Sequence, residues 1–340
     1  MSFVELTASK HVHPFVAFLA DHGEPVQPLV QRAGLPGACV DDGSILVPTA
    51  ALWRFRELAA RRTGLPNLTL TVMAPLELSG LGAVGASVAR APTLGRAIRD
   101  FQRLAGKESS TAILELRPCR GGDVFFSNRF NLREQDGEWH AELYVLTWML
   151  KIVRIFEPTW SPNEIWCMAC ATPERLRAIE SLATRARFGR RCSGFPLPAS
   201  MLALSRGGAG ASGRRGTIND EALWPAPPSD SVAVATGQLI RAYADDRWLS
   251  LQEASDLLGS SPRTFQRQLS GEEKTYSAVL EEARAEVARY FLWNTDASLS
   301  EIAERLGYST LSNFNRAFHR WAAVSPREFR AQGHAPGLLV

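Results

Sequence analysis

The chain has 340 residues and 45% hydrophobic content, which suits a soluble globular protein with two cored domains, and a formal net charge of only +3. Its five cysteines are scattered and odd in number, which excludes a disulfide framework and points to a reducing compartment. The start, MSFVELTASKHVHPFVAFL, lacks a basic segment followed by an apolar run and a cleavage site, and the most apolar stretch, Leu143 to Val153, is interrupted by Thr147 and Lys151. A cytoplasmic protein is expected, with no role at a membrane.

In chain order, Leu29–Gly34, Pro48–Gly64 and Thr93–Gly106 are predicted as amphipathic helices. In the second, Leu52, Trp53, Phe55, Leu58 and Ala59 form an apolar stripe beside Arg54, Arg56, Arg61 and Arg62. Thr111–Arg117 and Asp123–Asn131 are predicted as strands of a hairpin around Arg120-Gly121-Gly122. A long helix is expected over Glu138–Phe156, a strand over Glu164–Ala171 and a further helix over Pro173–Ala186. The glycine cluster and the prolines Pro225, Pro227 and Pro228 mark residues 206–231 as a flexible linker between domains at 1–205 and 232–340.

The last hundred residues carry one pattern twice. Leu251–Leu269 (LQEASDLLGSSPRTFQRQL) and Leu299–Phe318 (LSEIAERLGYSTLSNFNRAF) each read as a short helix, a glycine turn and a second helix. A small residue stands four positions before each glycine, Ser255 before Gly259 and Ala303 before Gly307. Beyond each turn an aromatic plug precedes an arginine by two: Phe265 and Arg267, then Phe314 and Arg316. These are the requirements of a helix-turn-helix, whose second helix is free to enter a DNA major groove. Between the repeats, Thr275–Asn294 has Tyr276, Val279, Leu280, Ala283, Val287, Tyr290 and Phe291 at helical spacing. Twenty residues at about 1.5 Å rise make a rod of about 30 Å, close to the roughly 34 Å between major-groove faces on one side of B-DNA.

Charge is segregated rather than abundant. From Gln238 to Ala335, twelve Arg and Lys stand against thirteen Asp and Glu. Yet Ser261–Gly271 carries Arg263 and Arg267 with no acid, and Ser309–Arg330 carries Arg316, Arg320, Arg327 and Arg330 against Glu328 alone. The acids Glu281, Glu282 and Glu286 gather on the linker helix, facing away from DNA. A modest number of neutralised phosphates is implied.

These residues resemble the DNA-binding domain of the AraC/XylS family of bacterial transcription regulators. The matching stretches are SSPRTFQRQL (Ser260–Leu269), Arg284, Ala285 and Ala288 in the linker helix, and SLSEIAERLGYSTLSNFNRAFHRWAAVSPREFR (Ser298–Arg330). Ala323 departs from the glycine usual before Ser325-Pro326, and Ser255 from the commoner alanine. The front half resembles the arabinose-binding-type domain of one branch of that family, most strongly at GLGAVGASVARAPTLGRAIRDFQRL (Gly80–Leu104) and more weakly over residues 10–205. The resemblance implies an α+β N-terminal sensor and dimerisation domain followed by an all-α domain with two tandem helix-turn-helix units joined by a long linker helix. It further implies double-stranded promoter DNA, a small-molecule effector, RNA polymerase and a second copy of the chain as partners.

By family position, Arg263, Gln266 and Arg267 of the first unit face bases, with Thr264 and Ser261 beside them. In the second unit Leu311, Ser312, Asn315 and Arg316 enter the groove, Asn313 and Ser309 lie nearer the backbone, and Arg320 completes the set. Arginine pairs bidentately with guanine, and glutamine or asparagine with adenine. Leu311 can touch only a thymine methyl or fill space. Trp139, Tyr144 and Trp148, on the long helix, are candidates for lining an effector pocket, although core packing explains any one of them as well.

Other motifs weigh less. Trp166-Cys167-Met168-Ala169-Cys170 imitates the thioredoxin motif, but on a strand residues three apart point to opposite faces, so structural cysteines are expected. Gly208–Gly213 matches G-x-G-x-x-G without a following apolar helix. His11 and His13 lie near the terminus, and no metal, cofactor or catalytic group is expected. The rival function is a DNA-tethered enzyme, such as a cysteine-dependent alkyl-transfer repair protein, which would need a low-pKa cysteine with a partner.

Overall fold

A computed structural model describes residues 5–119, 121–131, 136–205, 229 and 231–332. They form two compact units, one drawn from residues 5–35 and 39–205 and the other from 36–38 and 229–332. Most of the expected linker, including Gly208–Gly213, lies outside the described residues.

In the first unit, β1 (Leu6–Ala8) pairs antiparallel with β2 (Leu46–Pro48), and α1 (His13–Asp21) and α2 (Val26–Ala33) lie between them in sequence. Next come α3 (Thr49–Thr63), α4 (Leu68–Met73), α5 (Ala83–Arg90) and α6 (Leu94–Ala105). The Thr93 side chain caps α6 by accepting from the Arg96 N–H, and Leu94, Ile98, Phe101 and Leu104 form its buried stripe. The hairpin forms as β3 (Ala112–Pro118) and β4 (Asp123–Phe130).

The long helix α7 (Glu138–Arg154) buries thirteen of its seventeen residues and runs through the core. Gly137 lets it approach so closely. Its φ is +88°, and a Cβ there would lie 1.9 Å from the carbonyl oxygen of Trp53 on α3. The start of α7 is thereby held against the α3 backbone.

Two expectations are corrected in the rest of this unit. The strand expected over Glu164–Ala171 is only β5 (Glu164–Trp166). It stops because the buried Glu142 carboxylate accepts from the N–H groups of Met168 (2.5 Å) and Ala169 (3.1 Å), turning the chain inward. The helix expected over Pro173–Ala186 ends early, as α8 (Pro173–Glu180), since Arg185–Arg187 pairs parallel to β5 as β6. Tertiary pairing overrides local helix propensity here. A further strand with no counterpart among the expected elements is β7 (Ser193–Pro198), which contains Pro196 and Pro198. It lies second to neither edge, in the order β3-β4-β7-β5-β6. The prolines are tolerated because β5 pairs with β7 only at Gly194, leaving the side beyond it without a ladder to break.

The second unit is all helical: α9 (Val232–Ala242), α10 (Leu251–Leu257), α11 (Pro262–Ser270), α12 (Tyr276–Asn294), α13 (Leu299–Arg305), α14 (Leu311–Ala322) and α15 (Pro326–Gln332). The two repeats close with the same hydrogen bonds. Ser260 N–H donates to Ser255 O and Gly259 N–H to Asp256 O; Tyr308 N–H donates to Ala303 O and Gly307 N–H to Glu304 O. Each is a helix end closed through a left-handed glycine, with φ of +61° at Gly259 and +75° at Gly307. The first helix of each repeat also starts alike, with Ser250–Glu253 and Ser298–Glu301 capping boxes. Tyr290 departs from the expected apolar face of α12 and is 60% exposed. Among the described residues no helix is long and apolar enough to cross a membrane.

Ala323 ends α14 in the left-handed region at φ +58°, where an L side chain costs about 1–2 kcal/mol. Ala323→Gly should therefore stabilise the second unit by about 0.5–1 kcal/mol, part of the relief being offset by the greater chain entropy of glycine. Urea unfolding of both proteins measures this, and a lower midpoint for the glycine variant would contradict it.

Candidate nucleic-acid interface and ligand cavity

The second helices of the two repeats, α11 and α14, share one construction. Each begins at a hydroxyl N-cap: Ser261 accepts from Thr264 N–H and Thr310 from Asn313 N–H, at 3.2 Å in both cases. Pro262 occupies the first turn of α11, where its missing N–H costs nothing. Phe265 and Leu269 bury the inner face of α11, and Phe314, Ala317 and Phe318 that of α14. The rings fit specific partners: Phe265 meets Tyr276 of α12 edge-on at 6.1 Å, and the Tyr276 phenol donates to Leu249 O at 2.7 Å. Phe314 lies 6.0 Å from Tyr308 and 5.8 Å from Phe318.

The outer faces carry the residues singled out in the sequence. On α11, Arg263, Gln266 and Arg267 are exposed, Ser261 is exposed at the cap and Thr264 is half-buried, its hydroxyl bonded to that of Ser261 at 2.9 Å. On α14, Leu311, Ser312, Asn315 and Arg316 are exposed and Asn313 is half-buried. Asn313 accepts from the Arg316 guanidinium at 2.6 Å and reaches back to the exposed Ser309 at 3.4 Å, so it orients the arginine. Neither helix contains an acid. Arg320, however, is bonded to Glu281 of α12 at 2.7 Å, so one linker-helix acid turns towards the end of α14. Glu282 and Glu286 pair with Lys274 and Arg241.

The first unit contains a partly open cavity of about 80 Å³ walled by α3, α5, α6, α7 and β3. At about 10–15 Å³ per water it has room for several waters or a small organic molecule. Tyr144 and Trp148 line it, one turn apart on α7. Trp139 does not. Its indole N–H donates to Asn67 at 3.1 Å, and its ring borders a separate open cleft with Arg61, Cys170, Arg175 and Arg190.

Sequence reasoning missed Arg56, which stands in a run of arginines on α3 and carries no signal of its own. It is 3% exposed, with its guanidinium 4.1 Å from the Tyr144 ring centroid and 4.9 Å from that of Phe15. Burial pulls its pKa down to about 10, so it remains a cation. It also missed Glu108, buried and bonded to Lys10 and, at 3.1 Å, to His11. His11 in turn meets the Tyr144 hydroxyl at 2.9 Å, and burial lowers its pKa. His13 instead contacts Cys39 O at 3.2 Å.

The cysteines of the thioredoxin-like motif have different surroundings. Cys167 is buried, and burial together with the nearby Glu142 carboxylate pushes its thiol well above the ordinary range; Cys170 is exposed. A raised pKa suppresses the thiolate that nucleophilic or redox chemistry needs.

The described residues thus combine a charge-segregated pair of helix-turn-helix units with a separate α+β unit that holds a cavity. Comparison with known proteins gives the family. Residues 23–205 match the model of the arabinose-binding domain of AraC transcription regulators (N-terminal), and residues 254–332 match that of a helix-turn-helix domain. The chain belongs to the AraC family of transcription regulators. Over 159 residues it is 31% identical to the HTH-type transcriptional regulator VirS of Mycobacterium tuberculosis, covering 46% of each chain. Over 80 residues it is 39% identical to the ornithine utilization regulator of Pseudomonas aeruginosa, covering 24% of each. The match thus spans about half the length of VirS and less of the other. The crystal structure of the transcriptional regulator CdpR from Pseudomonas aeruginosa is similar over 94% of this chain and 96% of its own, at 20% identity and a TM-score of 0.42.

Iodoacetamide at neutral pH should modify the exposed Cys119 and Cys170 while Cys39 and Cys167 stay protected until the protein unfolds. Peptide mapping by mass spectrometry checks this; rapid labelling of native Cys167 would revive a reactive-cysteine role.

Proposed function

We propose that this protein is a transcription regulator whose C-terminal unit binds promoter DNA and whose N-terminal unit binds a small-molecule effector and self-associates. The effector changes how the DNA-binding units of a homodimer are placed, and thereby their contacts with RNA polymerase. Such a protein works in the cytosol, beside the DNA. One observation carries the DNA-binding role. Two equivalent helices, α11 and α14, each turn an acid-free polar face outward and a ring inward, and the nineteen-residue helix α12 runs between the repeats, touching Phe265 through Tyr276 and packing against α14.

Base contacts then fall to Arg263, Gln266 and Arg267 from α11 and to Ser312, Asn315 and Arg316 from α14, with Leu311 against a thymine methyl. Ser261, Thr264, Ser309 and Asn313 lie towards the phosphates at the helix starts, where N–H groups and the helix dipole favour anions. Arg320 joins them on exchanging Glu281 for a phosphate. The rival, a DNA-tethered enzyme with a reactive cysteine, is disfavoured by the raised pKa of Cys167 and of the half-buried Cys192.

Arg267→Ala and Arg316→Ala should each weaken specific binding by about 1–3 kcal/mol and leave the fold intact, since both side chains are exposed. The measurement is titration of a labelled duplex, selected by the wild-type protein from random-sequence DNA, at fixed salt with circular dichroism as control. Unchanged affinity in both variants would remove the two-helix groove reading.

A further inference from the structure

We propose that the cavity beside α3, α6 and α7 takes a small organic monocarboxylate, whose carboxylate supplies the acidic partner that Arg56 lacks. The inference deepens the proposed effector-sensing role, on which it rests, by naming the chemical class of the ligand.

Charge on the cavity wall is unbalanced. Arg56 is nine-tenths or more buried and among the described residues forms no ion pair. One terminal nitrogen donates to His11 O at 3.2 Å, and its Nε has no acceptor. Among the described residues Glu108 is the one carboxylate lining the cavity, and Lys10 and His11 already engage it. Burial holds His11 neutral at ordinary pH, so Lys10 and Glu108 cancel and Arg56 remains as one uncompensated cation. A buried cation without an anion is strongly disfavoured, because desolvation is not repaid by Coulomb attraction. The flat ring of Tyr144 beneath the guanidinium leaves its planar edge as the donor surface, the geometry that pairs with a carboxylate through two N–H groups.

The remaining wall selects what the carboxylate is attached to. Leu52, Val84, Phe101 and Leu114 give an apolar lining that would meet a short aliphatic or aromatic body. The hydroxyls of Thr7, Thr49 and Thr111 also face this region, but they bond to one another at 2.7 and 3.0 Å. One uncompensated charge and about 80 Å³ argue for a small monoanion over a nucleotide or a sugar phosphate.

Isothermal titration calorimetry on the full chain, with matched pairs of hexanoate against hexanamide and benzoate against benzamide, tests the proposal. The expected result is that a carboxylate binds about ten-fold or more tightly than its amide, the scale of a lost charge-assisted hydrogen-bond pair. Arg56→Met should abolish that preference, while Arg56→Lys retains part of it. Equal binding of acid and amide, binding of neither acid, or undiminished carboxylate affinity in Arg56→Met would each overturn the site. Should Arg56→Met fail to fold, the acid–amide comparison on the wild-type chain decides alone. Titrating the selected DNA duplex with and without carboxylate separates the two readings. Carboxylate binding that leaves DNA affinity and oligomeric state unchanged sinks the effector role and leaves the anion site standing.

Discussion

A helix of seven to nine residues is not stable alone in water, and α10, α11 and α13 are that short. Everything the DNA-binding unit presents therefore depends on tertiary burial beneath it, above all on Phe265 under α11 and Phe314 under α14. Phe265 meets Tyr276 at the start of α12, while α11 otherwise packs on α9 and α10; Phe314 and Phe318 cluster with Ala288 and Leu292 towards the end of α12. The outward residues inherit their orientation from rings they never touch.

Arg284 of α12 ties the repeats together. Its guanidinium lies 5.1 Å from the Trp248 ring centroid and 5.6 Å from that of Tyr308, and the Trp248 indole donates to Arg305 O at 2.6 Å. Trp248 precedes α10 in the first repeat and Tyr308 closes the turn of the second, so one cation bridges both through contacts worth about 0.5–2 kcal/mol each. A Cβ at Gly307 would meet both Arg284 and Trp248 at an ordinary contact distance of 3.4 Å, so it is the φ of +75° that favours glycine there. In the N-terminal unit a buried cation plays a different part. Arg56 is held over Tyr144 and Phe15 by packing and forms no ion pair among the described residues.

Much of the fold was legible along the chain. The hairpin, the long α7 and the helices at α2, α3 and α6 follow from periodicity and turn residues, because each is a local pattern. The helix-turn-helix pair was legible in more detail, since the same small residue, glycine and plug recur. The Ser-x-x-Glu capping boxes at Ser250 and Ser298 were equally visible as a spacing and went unread. What failed did so for a nonlocal reason. β7 is a strand because β4 pairs with it, and β6 displaces helix because β5 lies alongside. Trp139 and Tyr144 are five residues apart on one helix, and helical rotation sends one to an open cleft and the other to the cavity.

The sequence by itself determined the repeated units, their caps and turns, and which residues of α11 and α14 face outward, because each depends on neighbours within about one helical turn. Tertiary structure alone decided that Arg56, one of four arginines on α3, is the buried one, that Glu108 is shared by Lys10 and His11, and that Glu142 draws the chain inward after β5. It also decided that Arg320, alike in type to Arg316, is engaged by Glu281. The physical reason is common to all four. A charged side chain takes its meaning from the dielectric and the partners around it, and these are contributed by segments tens of residues away that become neighbours only when the core closes.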